Sequence, residues 1–380
     1  MIYSINHLGR RVIFNTTAIE NNYLRKCVNR AIKKLFCHFL PSQSEDIVMT
    51  FYFTDFLDKH YRKEANQVMS ENAKANSSQV FMSGHGNKFG YEFGKGGRLE
   101  KVYYQIYAPS RIDNNMNRAK SRAFLSAVDA QVVSFYTRGY LNSIQQVNIA
   151  DGGSYMHACS FAIGDEGYIV AATPGAGKSS LLLSLRFAEN IGDFKFISDD
   201  FSAIDTEGHA HQIGRAMAMK SHQLQYFPQL ESVVQNMSKI QKLQWFLLKR
   251  QGLKYMLTPE ELFGNKITTD VPVKHLIYLT NHGKDTIESE KLSVTEFARL
   301  NANMLFSELY LGLEIFNHVQ MLPNVNLVGN VADFINNTRQ NIEKCLNGCE
   351  CTLVMVPFRS DPRIVLEYFV ENYVIGNEQK

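Results

Sequence analysis

The sequence has no run of about 18 consecutive apolar residues, which excludes a spanning helix on hydropathy alone. It has no apolar leader either: Met1-Ile-Tyr-Ser-Ile-Asn-His7 turns polar within a few positions, so no signal peptide is expected. Charge of one sign is missing too. Lys and Arg number 40 against 37 Asp and Glu, and the resulting +3 argues for neither a nucleic-acid nor a membrane partner. Cysteine is sparse, with six in 380 residues, which predicts reduced thiols and a cytoplasmic setting rather than a disulfide framework. Cys345, Cys349 and Cys351 cluster, but C-x₃-C-x-C matches no common zinc spacing and no second knuckle follows. A helix ending at Asn347-Gly348 and a strand containing Cys351 account for them. There are no internal repeats and no low-complexity tails. What is present is an ordinary globular composition, 45% hydrophobic and 20% charged, on a length that suits two domains.

The two halves differ in texture. Leu24, Val28, Ala31 and Leu35 recur at helical spacing and predict a helix over roughly 18–39. Its other face carries Arg25, Lys26, Arg30, Lys33 and Lys34, read as a solvated stripe. Residues 47–53 and 99–107 predict strands. Residues 70–79 and the Gly-rich 83–97 predict loops or a hairpin, and 117–137 a helix with Leu125, Val128, Val132 and Phe135 on one face. From about 150, short apolar runs alternate with helical patterns. Strands are expected at 167–172, 194–198, 202–205, 209–213, 274–280 and 351–356. Helices are expected at 178–189, 239–257, 293–313, 331–346 and 362–373. The last part of 239–257 follows an amphipathic stretch around Trp245, with Leu243, Phe246, Leu247 and Leu253 apolar. The boundary falls at 145–155, near Asp151-Gly-Gly-Ser154. This gives an N-terminal α+β domain over 1–150 and an α/β domain over 151–380.

Chemistry concentrates in the second half. The apolar run Gly167–Ala172 leads into Thr173-Pro-Gly-Ala-Gly-Lys-Ser-Ser180, and Leu181–Leu185 continues as a helix. Strand, Gly-rich turn, Gly-Lys-Ser and helix make a phosphate-binding loop. Backbone N–H groups of Gly175, Ala176 and Gly177, with the positive end of the helix dipole, suit phosphate oxygens. Lys178 supplies a charge to the β/γ-phosphates, and the Ser179 hydroxyl is a Mg²⁺ ligand. Ala172 stands where the motif has its first Gly. About twenty residues on, Phe194-Lys-Phe-Ile-Ser-Asp-Asp200 is a short apolar strand ending in two carboxylates. At the carboxyl end of a strand, Asp199 and Asp200 face the ligand crevice of an α/β sheet. One suits metal holding, directly or through water, and the other proton acceptance from a hydroxyl.

With His157 in Ser154-Tyr-Met-His-Ala-Cys-Ser160 upstream, this motif set resembles the HPr kinase/phosphorylase family. That family shares a P-loop kinase core with phosphoenolpyruvate carboxykinases. The resemblance covers roughly 150–285. It implies that Thr173 to Ser180 bind ATP, that Ser179 and Asp199 hold Mg²⁺, and that one of Asp199 and Asp200 is the general base. It implies that His157 lies near the phosphates and that Arg215 or Lys220 offsets charge on the moving phosphoryl group. It implies a bacterial, cytoplasmic, homo-oligomeric enzyme. The family's segment for docking the phosphocarrier protein is not found, and 1–150 does not match that enzyme's N-terminal domain. The acceptor therefore stays open: a Ser of a protein or peptide, or a small-molecule or glycan hydroxyl.

Rival readings are weaker. Asp205-Thr-Glu-Gly208 fits the D-x-x-G of a GTPase but sits between two apolar runs, where a hairpin turn is simpler. Asn281-His-Gly-Lys-Asp285 has the wrong spacing for base recognition, and no ABC-type signature occurs. The rival of another class is a non-catalytic nucleotide-sensing module built on a degenerate kinase core.

Overall fold

Apolar residues at every second position build the first sheet of the computed structural model. Val12 and Phe14, Phe51 and Phe53, and Val102 and Tyr104 are buried, and the residues between them are partly exposed. The structure describes residues 2–36, 41–57, 67–70, 73–75, 78–84, 87–94, 98–108, 127–188, 191–213, 217–250, 255–319 and 331–375. Within them the chain forms two compact units, Met1–Gly152 with Phe306–Thr338, and Gly153–Leu305 with Arg339–Lys380. Among the described residues no helix is long and apolar enough to cross a membrane.

The first unit contains β1 (Ile2–His7), β2 (Arg10–Asn15), β3 (Ile47–Thr54), β4 (Gln67–Ser70), β5 (Ala73–Ala75), β6 (Gln79–Gly84), β7 (Asn87–Phe93) and β8 (Leu99–Gln105). They pair in the order β1-β2-β3-β8-β7-β6-β5-β4. The pairs β2–β3 and β3–β8 are parallel. Part of 70–79, expected as loops or a hairpin, is strand β5, antiparallel to β4 and β6. The Gly-rich stretch is a hairpin, with β6 and β7 antiparallel. The helix Asn22–Leu35 starts later than its pattern suggests because the Asn21 side chain caps it, accepting from the N–H groups of Tyr23 and Leu24. Its buried residues Leu24, Val28, Ala31 and Ile32 face an aromatic core. There the ring of Phe14 lies 4.4 Å from Phe36 and 5.6 Å from Phe51, and Phe135 lies 4.7 Å from Phe53.

The helix Ala127–Phe135 passes through a wide π-helical turn, Tyr136–Tyr140, into the helix Leu141–Ala150. The start of the expected 117–137 helix, Leu125 included, lies outside the described residues. At the wide turn the Asn142 side-chain amide donates to the carbonyls of Thr137 (3.3 Å) and Arg138 (3.2 Å), satisfying groups that the wider pitch frees. The helix Leu141–Ala150 was not expected. Its Asn142, Ser143, Gln145, Gln146 and Asn148 are polar in sequence but buried, so no apolar stripe marks it. Asn148 is paired through Oδ1 with His7 Nε2 at 2.8 Å.

The second unit contains β9 (Ser154–Met156), β10 (Ala158–Ile163), β11 (Glu166–Ala172), β12 (Phe194–Ser198), β13 (Ser202–Ile204), β14 (His209–His211), β15 (Met217–Met219), β16 (Tyr255–Leu257), β17 (Asp270–His282), β18 (Glu288–Lys291) and β19 (Glu350–Pro357). The main sheet is mixed. Its centre is parallel, β11–β17–β19. Antiparallel β10 and β12 extend one side, and β18 lies against β19. The first residues of β17 pair instead with β14, which leads through β13 to β9. The architecture is thus α/β with open mixed sheets. The expected helix 239–257 is corrected: the helix is Lys239–Arg250, and Tyr255–Leu257 pairs with β15 as a strand. An apolar run of that length fits either period, and the pairing partner decides it. Likewise, Ser154–Met156 and Ala158–Ile163 are strands that the sequence reading did not foresee.

Asp205–Gly208 is the turn of the β13–β14 hairpin, with the Asp205 N–H donating to His209 O at 3.2 Å. Gly208 has φ +80°, and a Cβ there would stand 2.5 Å from the Cys345 carbonyl oxygen. Backbone strain and a collision with backbone act together, so Gly208→Ala is expected to cost more than about 2 kcal/mol in urea unfolding. An unchanged midpoint would show that the turn relaxes freely.

Candidate functional site

The loop after β11 has the conformation its glycines predict. Gly175 has φ +85° and Gly177 φ +107°, both left-handed. A Cβ at either position would meet nothing within 4 Å, so these glycines serve backbone angle rather than fit, and the space beside the loop is open. Ala172 is a regular, buried residue of β11 opposite Leu279, so its replacement of Gly costs nothing here. The Thr173 N–H donates to Leu279 O (3.1 Å), and that of Ala176 to Thr173 O (3.1 Å), which ties the loop to the end of β17. Pro174 and Gly175 are exposed, while Ala176 is buried beneath them.

The helix Lys178–Phe187 begins directly at Gly177. Its first intrahelical bond runs from Leu181 N–H to Gly177 O at 2.9 Å. The N–H groups of Lys178, Ser179 and Ser180 precede that bond, at the positive end of the helix. Apolar Leu181, Leu182, Leu183 and Leu185 bury the rest of the helix and fix its direction.

The Ser179 hydroxyl lies 3.2 and 3.3 Å from the two carboxylate oxygens of Asp199. Asp199 is only 5% exposed, at the carboxyl end of β12. Asp200 follows at φ +65°, a left-handed conformation that Asp tolerates better than most residues. The N–H of Phe201 donates to Asp199 O at 2.8 Å, spanning Asp200. This is a γ-turn whose central residue has positive φ, the rare and strained form. A chain of buried hydroxyls holds the turn: Ser160 to Ser198 at 2.7 Å, Ser198 to Ser202 at 2.8 Å, and Ser202 to Ala158 O at 3.1 Å.

Lys178 Nζ donates to the His157 carbonyl at 3.4 Å, a long contact. His157 therefore meets the lysine through its backbone, and its ring stacks on Phe201 at 5.5 Å and 27°. Buried Cys159 reports on the local charges. Burial first, and then Asp199 and Asp200, push its thiol far above the ordinary range, with Lys178 pulling down. Lys178, Asp199 and Asp200 thus all lie close enough to Cys159 to act on its thiol.

Of the residues singled out in the sequence, the structure gathers Thr173–Ser180, Asp199, Asp200 and His157. Arg215 lies outside the described residues. Lys220 is exposed just past β15, its N–H bonded to Gln223 Oε1 at 2.7 Å. Ser160, Ser202, Phe201 and Thr280 were missed, the last with its hydroxyl 3.4 Å from that of Thr173. Ser202 and Phe201 directly follow the Asp pair, which was a usable signal. Ser160 closes the segment around His157, also a usable signal, whereas Thr280 carries none.

Among the described residues no group of three or more His, Cys, Asp or Glu could hold a metal ion. The pairing present is one hydroxyl and one carboxylate. It fits Mg²⁺, which takes one or two protein oxygens and completes its shell with water and substrate phosphates. A separate cavity of about 270 Å³ lies beside Arg186 and Phe187, at the opposite end of the helix that starts with Lys178.

No family model and no curated protein matches this chain. Among solved structures it is similar to the Hpr(Ser) kinase/phosphatase from Coxiella burnetii, at 11% identity and a TM-score of 0.28. The match covers 59% of this chain and 99% of that one. The likeness is distant.

Proposed function

We propose that the chain is an ATP- and Mg²⁺-dependent kinase that transfers the γ-phosphoryl group to a hydroxyl acceptor. The observation that carries this reading is the Ser179–Asp199 contact, at the head of a helix that opens on a left-handed Gly-Lys turn. A nucleotide loop needs donors facing open space, one cation beside them and a hydroxyl paired with a carboxylate, and these residues supply them.

In this mechanism the N–H groups of Gly175 and of Gly177 to Ser180 bind the phosphate chain, the Ala176 N–H being taken by the Thr173 carbonyl, and Lys178 balances charge on the β- and γ-phosphates. The Ser179 hydroxyl and the Asp199 carboxylate would hold Mg²⁺, which when bound would neutralise negative charge on the phosphates. Asp200, held in its strained turn beside them, accepts the proton of the attacking hydroxyl. The transfer relies on positioning and preorganised charge rather than on a covalent intermediate. Arg215 or Lys220 is assigned the charge on the moving group. Residues 1–150 and the 230–260 segment are assigned acceptor choice, and the assembly is a homo-oligomer.

The test is incubation of the full-length protein with γ-labelled ATP, Mg²⁺ and a panel of serine peptides and glycans, alongside mass spectrometry of small molecules that co-purify. Label on an acceptor hydroxyl is the expected result. ATP that binds without ever turning over would favour the nucleotide-sensing module instead.

A further inference from the structure

The cavity of about 270 Å³ lies at the far end of the helix Lys178–Phe187. At about 1.5 Å per residue, Arg186 stands about 12 Å along that helix from Lys178, so this space is not the phosphate site. Phe187, Val233, Met237, Leu257 and Leu262 give it apolar walls. Most of its polar lining is already engaged. Gln241 Oε1 accepts from the Ser238 N–H at 2.9 Å, and its Nε2 donates to Glu261 Oε1 at 3.0 Å. Glu261 Oε2 accepts from the Thr258 N–H at 2.8 Å, and the Ser232 hydroxyl donates to Gln229 O at 2.7 Å. Arg186 differs. Its Nε donates to Leu262 O at 3.2 Å, and its guanidinium carbon lies 5.7 Å from the centre of the Phe187 ring. These contacts anchor the guanidinium. Among the described residues, no carboxylate pairs with its two Nη groups.

We propose that this cavity binds a small monocarboxylate with an apolar tail, whose carboxylate is taken by the Nη groups of Arg186. An anchored guanidinium fork matches a carboxylate in two parallel hydrogen bonds. The apolar walls favour burial of a hydrocarbon tail. The volume falls just under the roughly 300–1,000 Å³ of sites for drug-sized molecules, so the occupant is small. Its charge follows from the lining. Arg186 repels an ammonium group, while Glu260 and Glu261, which also border the cavity, disfavour a second negative charge. The site does not depend on the kinase reading.

Titration of the full-length protein with hexanoate, hexylamine and acetate, followed by broadening of the ligand proton signals, tests the proposal. Hexanoate should bind saturably and at least about tenfold more tightly than either of the others, hexylamine failing on charge and acetate on its missing tail. Arg186→Gln should weaken hexanoate at least about tenfold, because the charged fork is lost. Val233→Phe should do the same by filling the cavity. It leaves Arg186 and its bond to Leu262 in place, so it reads occupancy of the cavity even if Arg186→Gln destabilises the chain. If Arg186 serves only to clamp its helix to Leu262, hexanoate will not bind, and the proposal falls. Hexylamine or acetate binding as tightly as hexanoate overturns it too. So does hexanoate binding that survives unchanged in a folded preparation of either variant, because the ligand would then sit elsewhere or ignore the guanidinium.

Discussion

Lys178→Ala should lower ATP turnover by at least about 10²-fold and leave the fold intact, the scale of losing one preorganised charge at a transferring group. The helix that Lys178 opens is held by buried Leu181, Leu182, Leu183 and Leu185, so the fold does not hang on the lysine. Lys178 is also the only charged residue between Thr173 and Ser180. No neighbour in the loop can replace its charge. Steady-state turnover and a thermal melt on the same preparation check the two halves of the expectation. Near-normal turnover with an unchanged melt would remove the loop from the mechanism.

The second large effect separates two adjacent carboxylates. Asp199→Asn should weaken Mg²⁺-dependent nucleotide binding, because the amide offers one neutral oxygen where Ser179 now faces two carboxylate oxygens. Asp200→Asn should bind Mg-ATP normally and lose turnover by about 10²-fold or more, the usual scale for removing a general base. Asparagine is the informative substitution at 200 because it tolerates the left-handed backbone at φ +65° as aspartate does. Alanine would mix lost chemistry with added strain. Titration calorimetry with Mg-ATP and turnover assays on both variants read the split. Equal and mild effects would make the pair a polar cap on β12.

The site was more legible in the sequence than the fold around it. Gly175 and Gly177 announce left-handed backbone, and the structure places them there, because no other residue type adopts those angles cheaply. The parallel centre of the second sheet was legible as bare apolar runs, since strands buried on both faces lose their alternation. The helix Leu141–Ala150 was not, because its buried amides hide the core-facing side. Tyr255–Leu257 was misread as helix because only its pairing with Met217–Met219 fixes its period. Nor could the sequence show that Phe306–Thr338 returns to the first unit, where Gln145 Nε2 lies 3.5 Å from the Thr338 hydroxyl. A fragment cut at 150 would leave that segment without its partners. Acceptor choice by 1–150 is therefore better probed by substitutions in the full chain than by truncation.

The central claim is that the Gly-Lys-Ser loop binds the phosphates of a nucleotide together with Mg²⁺. Calorimetric titration of the full-length protein with ATP, with and without Mg²⁺, tests it most directly. The account predicts saturable binding that strengthens with Mg²⁺, loses that dependence in Asp199→Asn and is lost in Lys178→Ala. Binding that is absent in the wild-type protein, or present and indifferent to both substitutions, would contradict it.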